Sequence, residues 1–219
     1  LHKGEGELDE ISLLPKDVVL IGMLSPYANR EQLSYYVKSK ITSFSLEFVP
    51  RITRAQSMDV LSSQTNLAGY RAVIEASQVF DRAFPMMMTA AGTIAPARVL
   101  ILGAGVAGLQ AIATARRLGA VVSAFDVRAA AKEQVESLGA TFVFVEADES
   151  GEGSGGYAKE MSEDYKKRQS AKIKEEIAKN DIVITTALIP GKQAPLLITE
   201  DMVQAMKPGS VIVDMAIEA

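Results

Sequence analysis

The run from Val99 to Gly108, VLILGAGVAG, limits the fold more than any other stretch of this chain. An apolar strand runs straight into a glycine-rich turn and then into an Ala-rich helix. That is the context a Gly-x-Gly-x-x-Gly signature needs before it means dinucleotide binding. Gly103 allows the tight turn, Gly105 lets the backbone approach a pyrophosphate, and Gly108 lets helix and strand pack closely. The helix N-terminus, from Val106, offers unpaired N–H groups and its positive dipole end to the phosphates. A lobe of this type that holds no cofactor is the competing reading.

The pattern continues regularly downstream. Strand Arg98–Leu102 leads to helix Val106–Leu118, strand Val121–Phe125, helix Ala129–Leu138 and strand Thr141–Val145. Helix Asp164–Ala178, strand Ile182–Thr186, a helix near Glu200–Ala205 and strand Ser210–Val213 follow. Strands separated by helices of this length imply a parallel, doubly wound sheet. Asp126 falls at the tip of the second strand, where a carboxylate accepts both adenine-ribose hydroxyls and repels a 2′-phosphate, favouring NAD over NADP. Arg128 leaves the opposite choice open, since an arginine nearby can accept that phosphate.

The upstream part alternates in the same way. Val18–Leu24 reads as a buried strand ending in the turn Ser25–Asn29, Arg30–Ser39 as a helix and Ser43–Val49 as another strand. A long helical pattern runs from Ser62 to about Phe84. Met86–Pro96 reads as a small-residue link, its Met triplet as packing filler. The expected fold is therefore α/β, with two Rossmann-like lobes built on parallel doubly wound sheets. The expected divisions are 1–61 for the first lobe, 62–95 for helix and link, and 96–219 for the second lobe. Because the chain opens at Leu1 and stops in VIVDMAIEA, both lobes are expected to be truncated by the ends of a fragment.

The segment Arg51–Tyr70, RITRAQSMDVLSSQTNLAGY, is the least ordinary. Asp59, Ser62, Ser63 and Asn66 recur at helical spacing, so short polar groups line one helix face. Arg51, Arg54 and Gln56 stand just before it. Such a face suits an amide-bearing ring such as nicotinamide, and a capped surface helix explains the same pattern.

Two loops remain. Thr185–Lys192 follows a parallel strand, so it faces a cofactor or is an ordinary Pro-Gly turn. Ala147–Glu163, with Gly151, Gly153, Gly155 and Gly156, is either a lid or a linker, with Tyr157 and Met161 its only bulky anchors. Composition removes other classes. No window of eighteen apolar residues spans a membrane, a net charge of −4 argues against a nucleic-acid surface, and no cysteine allows a disulfide or thiolate metal site. His2 is the one histidine, so no His-rich metal cluster exists.

Four stretches, Arg51–Tyr70, Thr89–Arg128, Gly155–Gln169 and Thr185–Ala219, resemble the alanine dehydrogenase/transhydrogenase family. Within it they are most similar to the NAD(H)-binding component of proton-translocating transhydrogenases of the Si–Re type. The resemblance implies that Arg51, Asp59 and Ser62 contact the nicotinamide end, with Ser57 and Met58 beside the cofactor. It implies that Gln56 projects toward the NADP(H)-binding component and bridges the two nicotinamides. Val106, Asp126, Val127 and Arg128 would hold pyrophosphate and adenine ribose. Gly156, Gln169 and Leu188 match further NAD-contacting positions, and Tyr157 with Met161 matches a mobile loop. Thr53 and Thr65 replace a commoner serine.

The family also implies a homodimer, a membrane proton-channel component and an NADP(H)-binding component, and that this component is inactive without the NADP(H)-binding one. Its place would be peripheral, on the cytoplasmic face of a bacterial inner membrane or the matrix side of a mitochondrial one. Hydride transfer between nicotinamides needs positioning and a dry site but no protein acid or base. An alanine dehydrogenase, the alternative, must also handle an imine with a Lys and a His. Alanine dehydrogenases carry a His in the loop after the strand matching Val18–Leu24; this chain has Ser25-Pro26-Tyr27.

Overall fold

A computed structural model of the chain describes residues 10, 12–50, 52–145, 161–188 and 194–217. The chain divides into two units, Leu1–Gln64 and Thr65–Ala219. In the first, strand β1 (Val19–Gly22) leads through a turn to helix α1 (Arg30–Lys38) and back to strand β2 (Thr42–Ser45). The two strands pair in parallel, Val19 against Thr42 and Gly22 against Ser45, as strands joined through a crossover helix do. Leu24, Tyr36 and Ile41 form the small core beneath them.

The strand expected over Ser43–Val49 stops early. From Leu46 to Phe48 the chain closes a 3-10 turn instead. The cause is Glu47, whose carboxylate turns back to accept the N–H of Ser25 at 2.6 Å and of Leu24 at 3.2 Å. The Ser45 hydroxyl donates to it as well. Burial pushes this carboxyl up, but those three donors and the Glu47 backbone N–H outweigh it and hold Glu47 below the usual carboxylate range. A second 3-10 segment, Thr53–Met58, precedes helix α2 (Val60–Val79).

Helix α2 ends at Val79, short of the expected Phe84. The link after it is not featureless. Strands β3 (Met87–Thr89) and β4 (Gly92–Ile94) form an antiparallel hairpin. Met86, Met87 and Met88 are 56%, 46% and 75% exposed, so they do not fill a core here and that expectation is corrected.

The second unit carries strand β5 (Arg98–Leu102), helix α3 (Val106–Arg117), strand β6 (Val121–Phe125), helix α4 (Ala131–Ser137) and strand β7 (Thr141–Phe142). Helix α5 (Glu163–Lys179), strand β8 (Ile182–Thr185), helix α6 (Glu200–Gln204) and strand β9 (Val211–Asp214) complete it. The sheet is parallel throughout, in the order β7-β6-β5-β8-β9. Strand β7 is shorter than expected because the chain leaves the sheet after Phe142.

Alternation along β5 sorts the core. Val99 and Ile101 belong to a cluster with Ala72, Val73 and Ala76 of α2 and Ala111 and Ile112 of α3. Leu100 and Leu102 point the other way, among Tyr165, Ile173 and Ile177 of α5 and Met202 of α6. Both faces are covered, which is why β5 reads as an unbroken apolar run. The register sets Leu102 beside Phe125 and Thr185, and Thr185 beside Asp214, so the strands end level. The strand order reverses between β5 and β8, the topological switch point where open α/β sheets bind ligands.

Candidate dinucleotide site

Three glycines follow the end of β5, and the fold itself demands two of them. Gly103 has φ +105°, and a Cβ there would lie 2.7 Å from Thr186 Oγ1. A Cβ on Gly108 would stand 1.9 Å from the Gly103 carbonyl oxygen, so side chains on either would break the turn. Gly105 is different: a Cβ there would meet nothing within 4 Å. Nothing in the described protein needs a glycine at that position. The open space a Cβ would enter is on the side from which a pyrophosphate approaches the backbone in glycine turns of this type. Gly105 is also the N-cap of α3 and, among the described residues, no side chain caps that helix. The first-turn N–H groups of Val106, Ala107 and Gly108 therefore lack intrahelical acceptors and stand ready for an anion. Val106 is 38% exposed at this rim. These residues fit a dinucleotide.

Thr186, just past β8, donates its hydroxyl to the Gly103 carbonyl at 2.9 Å and pins the turn from the neighbouring strand. The sequence signalled this loop, though not the bond. Thr185 donates to the Asp214 carboxylate.

Asp126 follows β6, one strand over. Its Oδ2 accepts from the Ala104 N–H at 2.7 Å and from Arg128 Nη2 at 2.8 Å. Its Oδ1 accepts from the Arg128 N–H at 2.9 Å and from Arg128 Nε at 2.8 Å. The carboxylate is thus locked to the glycine turn, with side chains 7% exposed for Asp126 and 19% for Arg128. Arg128 directs two guanidinium nitrogens at Asp126, so the two residues the sequence set against each other form an ion pair. Val127 packs against the core cluster beneath α5. Gln169 stands half-buried on α5, and Leu188 is 48% exposed after β8.

Met161, one of the two bulky anchors the sequence gives to the long loop, is 7% exposed and packed with Leu102, Phe125 and Tyr165 just ahead of α5. Gly156 and Tyr157 lie outside the described residues, as do Arg51, His2 and Pro190–Lys192.

The first unit holds a separate cleft of about 310 Å³, lined by Pro50, Ile52, Gln56, Asp59 and Ser62. Asp59 is not on the helix face but ahead of it. Its Oδ1 accepts the Ser62 N–H at 2.9 Å and its Oδ2 accepts the Ser62 hydroxyl at 2.6 Å. That is an N-cap, with Ser62 at the third helical position. Ser63 turns its hydroxyl to the Val60 carbonyl, and Asn66 is exposed. The continuous polar stripe is thus a cap pair and two unrelated residues. Gln56, Ser57 and Met58 lie exposed on the 3-10 segment. The cleft presents a carboxylate, a hydroxyl and an amide, which together can accept from and donate to a carboxamide. Among the described residues no cluster of His, Cys, Asp and Glu could hold a metal, and no helix is long and apolar enough to cross a membrane.

Comparison with known proteins agrees with this layout. Residues 72–219 match the C-terminal domain of the alanine dehydrogenase/PNT family, and residues 4–68 match its N-terminal domain. The chain belongs to the alanine dehydrogenase/PNT family. It is 62% identical over 213 residues to an NAD(P) transhydrogenase subunit alpha protein of Rhodospirillum rubrum, covering 96% of this chain and 56% of that protein. An alanine dehydrogenase of Mycolicibacterium smegmatis is 29% identical over 212 residues, 95% of this chain and 51% of its own length. The crystal structure of a transhydrogenase from Sinorhizobium meliloti superposes with a TM-score of 0.85 at 57% identity, over 97% of this chain and 57% of that one. The chain spans a little over half the length of these relatives.

Proposed function

We propose that this chain is the NAD(H)-binding component of a proton-translocating transhydrogenase, which hands hydride to NADP+ held on a partner component. The observation that carries the reading is the pairing of two chemistries in one chain. The glycine turn has a vacant Cβ position at Gly105, and the cleft sets Gln56, Asp59 and Ser62 beside Pro50 and Ile52 with, among the described residues, no imidazole. Bound NADH would supply a hydride from C4, leaving NAD+, and NADP+ would accept it at C4.

The residues then divide the work. The first turn of α3 holds the pyrophosphate, and Asp126 exchanges donors from Arg128 for the adenine-ribose hydroxyls. Arg51, Asp59 and Ser62 orient the carboxamide, with Ser57 and Met58 beside it. Gln56 faces the partner and sets the gap between rings. Gly156, Tyr157, Gln169 and Leu188 close around the cofactor. No residue here must give or take a proton, because hydride passes as a unit between carbons. The loop after β1, Ser25-Pro26-Tyr27, has no histidine for imine chemistry, and the 62% against 29% identities point the same way. The working assembly in this reading is a homodimer docked on an NADP(H)-binding component and a membrane component, at the cytoplasmic or matrix face.

The test is an assay of the full-length protein with and without an NADP(H)-binding component. Hydride transfer should need both, and NADH oxidation should not respond to pyruvate with ammonia. Alanine dehydrogenase activity in the purified protein would overturn the proposal. Gln56→Asn should slow transfer severalfold and leave NADH affinity nearly unchanged, since a residue between the rings acts on the transition state and not on uniform binding. Equal losses in affinity and rate would refute the bridging role.

A further inference from the structure

Gly69 lies buried in the middle of α2, where glycine weakens a helix relative to alanine. The structure gives a reason for it. A Cβ on Gly69 would stand 2.1 Å from the Ala107 carbonyl oxygen, 2.8 Å from its carbon and 2.9 Å from its Cα. Every one of these is a backbone atom, so no rotamer change relieves the overlap. Both residues lie in the unit Thr65–Ala219.

Ala107 is in the first turn of α3, the turn whose N–H groups face the pyrophosphate position. Its neighbour Gly108 is pressed equally closely on the Gly103 carbonyl, 1.9 Å from where a Cβ would be. Two consecutive residues of that turn are therefore in backbone contact with different elements, β5's turn and α2. Ala72, Val73 and Ala76 extend the α2 contact into the core shared with Ala104 and Ala111.

We propose that Gly69 is a positioning residue of the dinucleotide site: it lets α2 buttress the first turn of α3 and fixes where the pyrophosphate-binding N–H groups point. It touches no cofactor and acts through Ala107. This rests on the reading of the glycine turn as an NAD(H) site. With alanine there, α2 and the turn must separate until a contact of 2.1 Å reaches the 3.0 Å that real Cβ atoms require, and the N–H groups move relative to their support. Hydrogen bonds to phosphate oxygens lose strength steeply over such a shift, whereas the adenine-ribose contact proposed for Asp126 follows β6, outside α3, and meets the turn only at the Ala104 N–H.

The experiment compares NADH, ADP-ribose and adenosine binding to full-length wild type and Gly69→Ala. We expect NADH and ADP-ribose to weaken at least tenfold and adenosine, which has no pyrophosphate, to change less than twofold. Unchanged NADH affinity, or an equal loss for all three ligands, would overturn the proposal. A substitution that prevents folding is bypassed by hydrogen exchange on the unaltered protein. ADP-ribose should slow the amides of residues 67–73 and adenosine should not; no difference between the two ligands would also overturn it. Wild type that binds neither NADH nor ADP-ribose would overturn the NAD(H) reading itself, and the role of Gly69 with it.

Discussion

Asp126 holds four donors in the structure, and a ribose must displace the Arg128 side chain to be bound there. Asp126→Ala should weaken NADH binding by about 2–4 kcal/mol, the loss of two hydrogen bonds to a charged acceptor. It should also release Arg128, so the preference for NADH over NADPH should narrow. Asp126→Asn keeps one oxygen for the Ala104 N–H and should lose less. Calorimetric titration with both nucleotides checks all of this; wild type with equal affinities would contradict the role given to Asp126. At this scale the glycines were legible in the sequence, because their spacing is itself a statement about backbone. The partnership of Asp126 with Arg128 was not, because two residues that alternate along a strand tip can each point outward. What decides it is the Ala104 N–H, which comes from a different element. Asp59 was legible as polar, and of the two readings the pattern allowed, a polar helix face and a capped helix, its bonds to Ser62 fit the cap.

Helices and strands are held in this fold by a few long-range clips. Asp181, at the head of β8, accepts the Arg98 N–H at 2.9 Å, Lys207 Nζ at 2.9 Å and Arg82 Nη2 at 2.8 Å. It joins β5, the segment after α2 and the turn before β9. Burial raises its pKa, but the Arg98 N–H, Lys207 and Arg82 outweigh that and leave it below the ordinary carboxylate value. A depressed native pKa means stability that is complete above the unfolded value, about pH 4, and lost as pH falls through the native one. Asp181→Asn should therefore cost about 2 kcal/mol at neutral pH, and wild type and variant should converge below about pH 4. Urea unfolding across that range measures it, and a gap unchanged at low pH would rule the clip out. Among the elements, β5 and β6 were legible to the residue because both faces are buried and the apolar run has sharp ends. The β3–β4 hairpin was not, because Thr89-Ala90-Ala91-Gly92 lacks a β-branched alternation and its strands are exposed throughout. Glu47 was illegible for another reason: its partners lie twenty-two and twenty-three positions away.

The first unit holds a small cleft carrying Gln56, Asp59 and Ser62, and the second a glycine turn at the head of α3; the proposed function divides its chemistry between them. The functional account rests on what that division leaves out, a residue that moves protons at the ring. Its most direct test is to supply the complete enzyme with NADH deuterated at the transferred position of C4, together with unlabelled NADP+, and to locate the label by mass spectrometry. Direct transfer between rings predicts deuterium at C4 of NADPH in a one-to-one ratio with NADH consumed, and none in the solvent. Label released to water, or found in alanine when pyruvate and ammonia are present, would contradict the account.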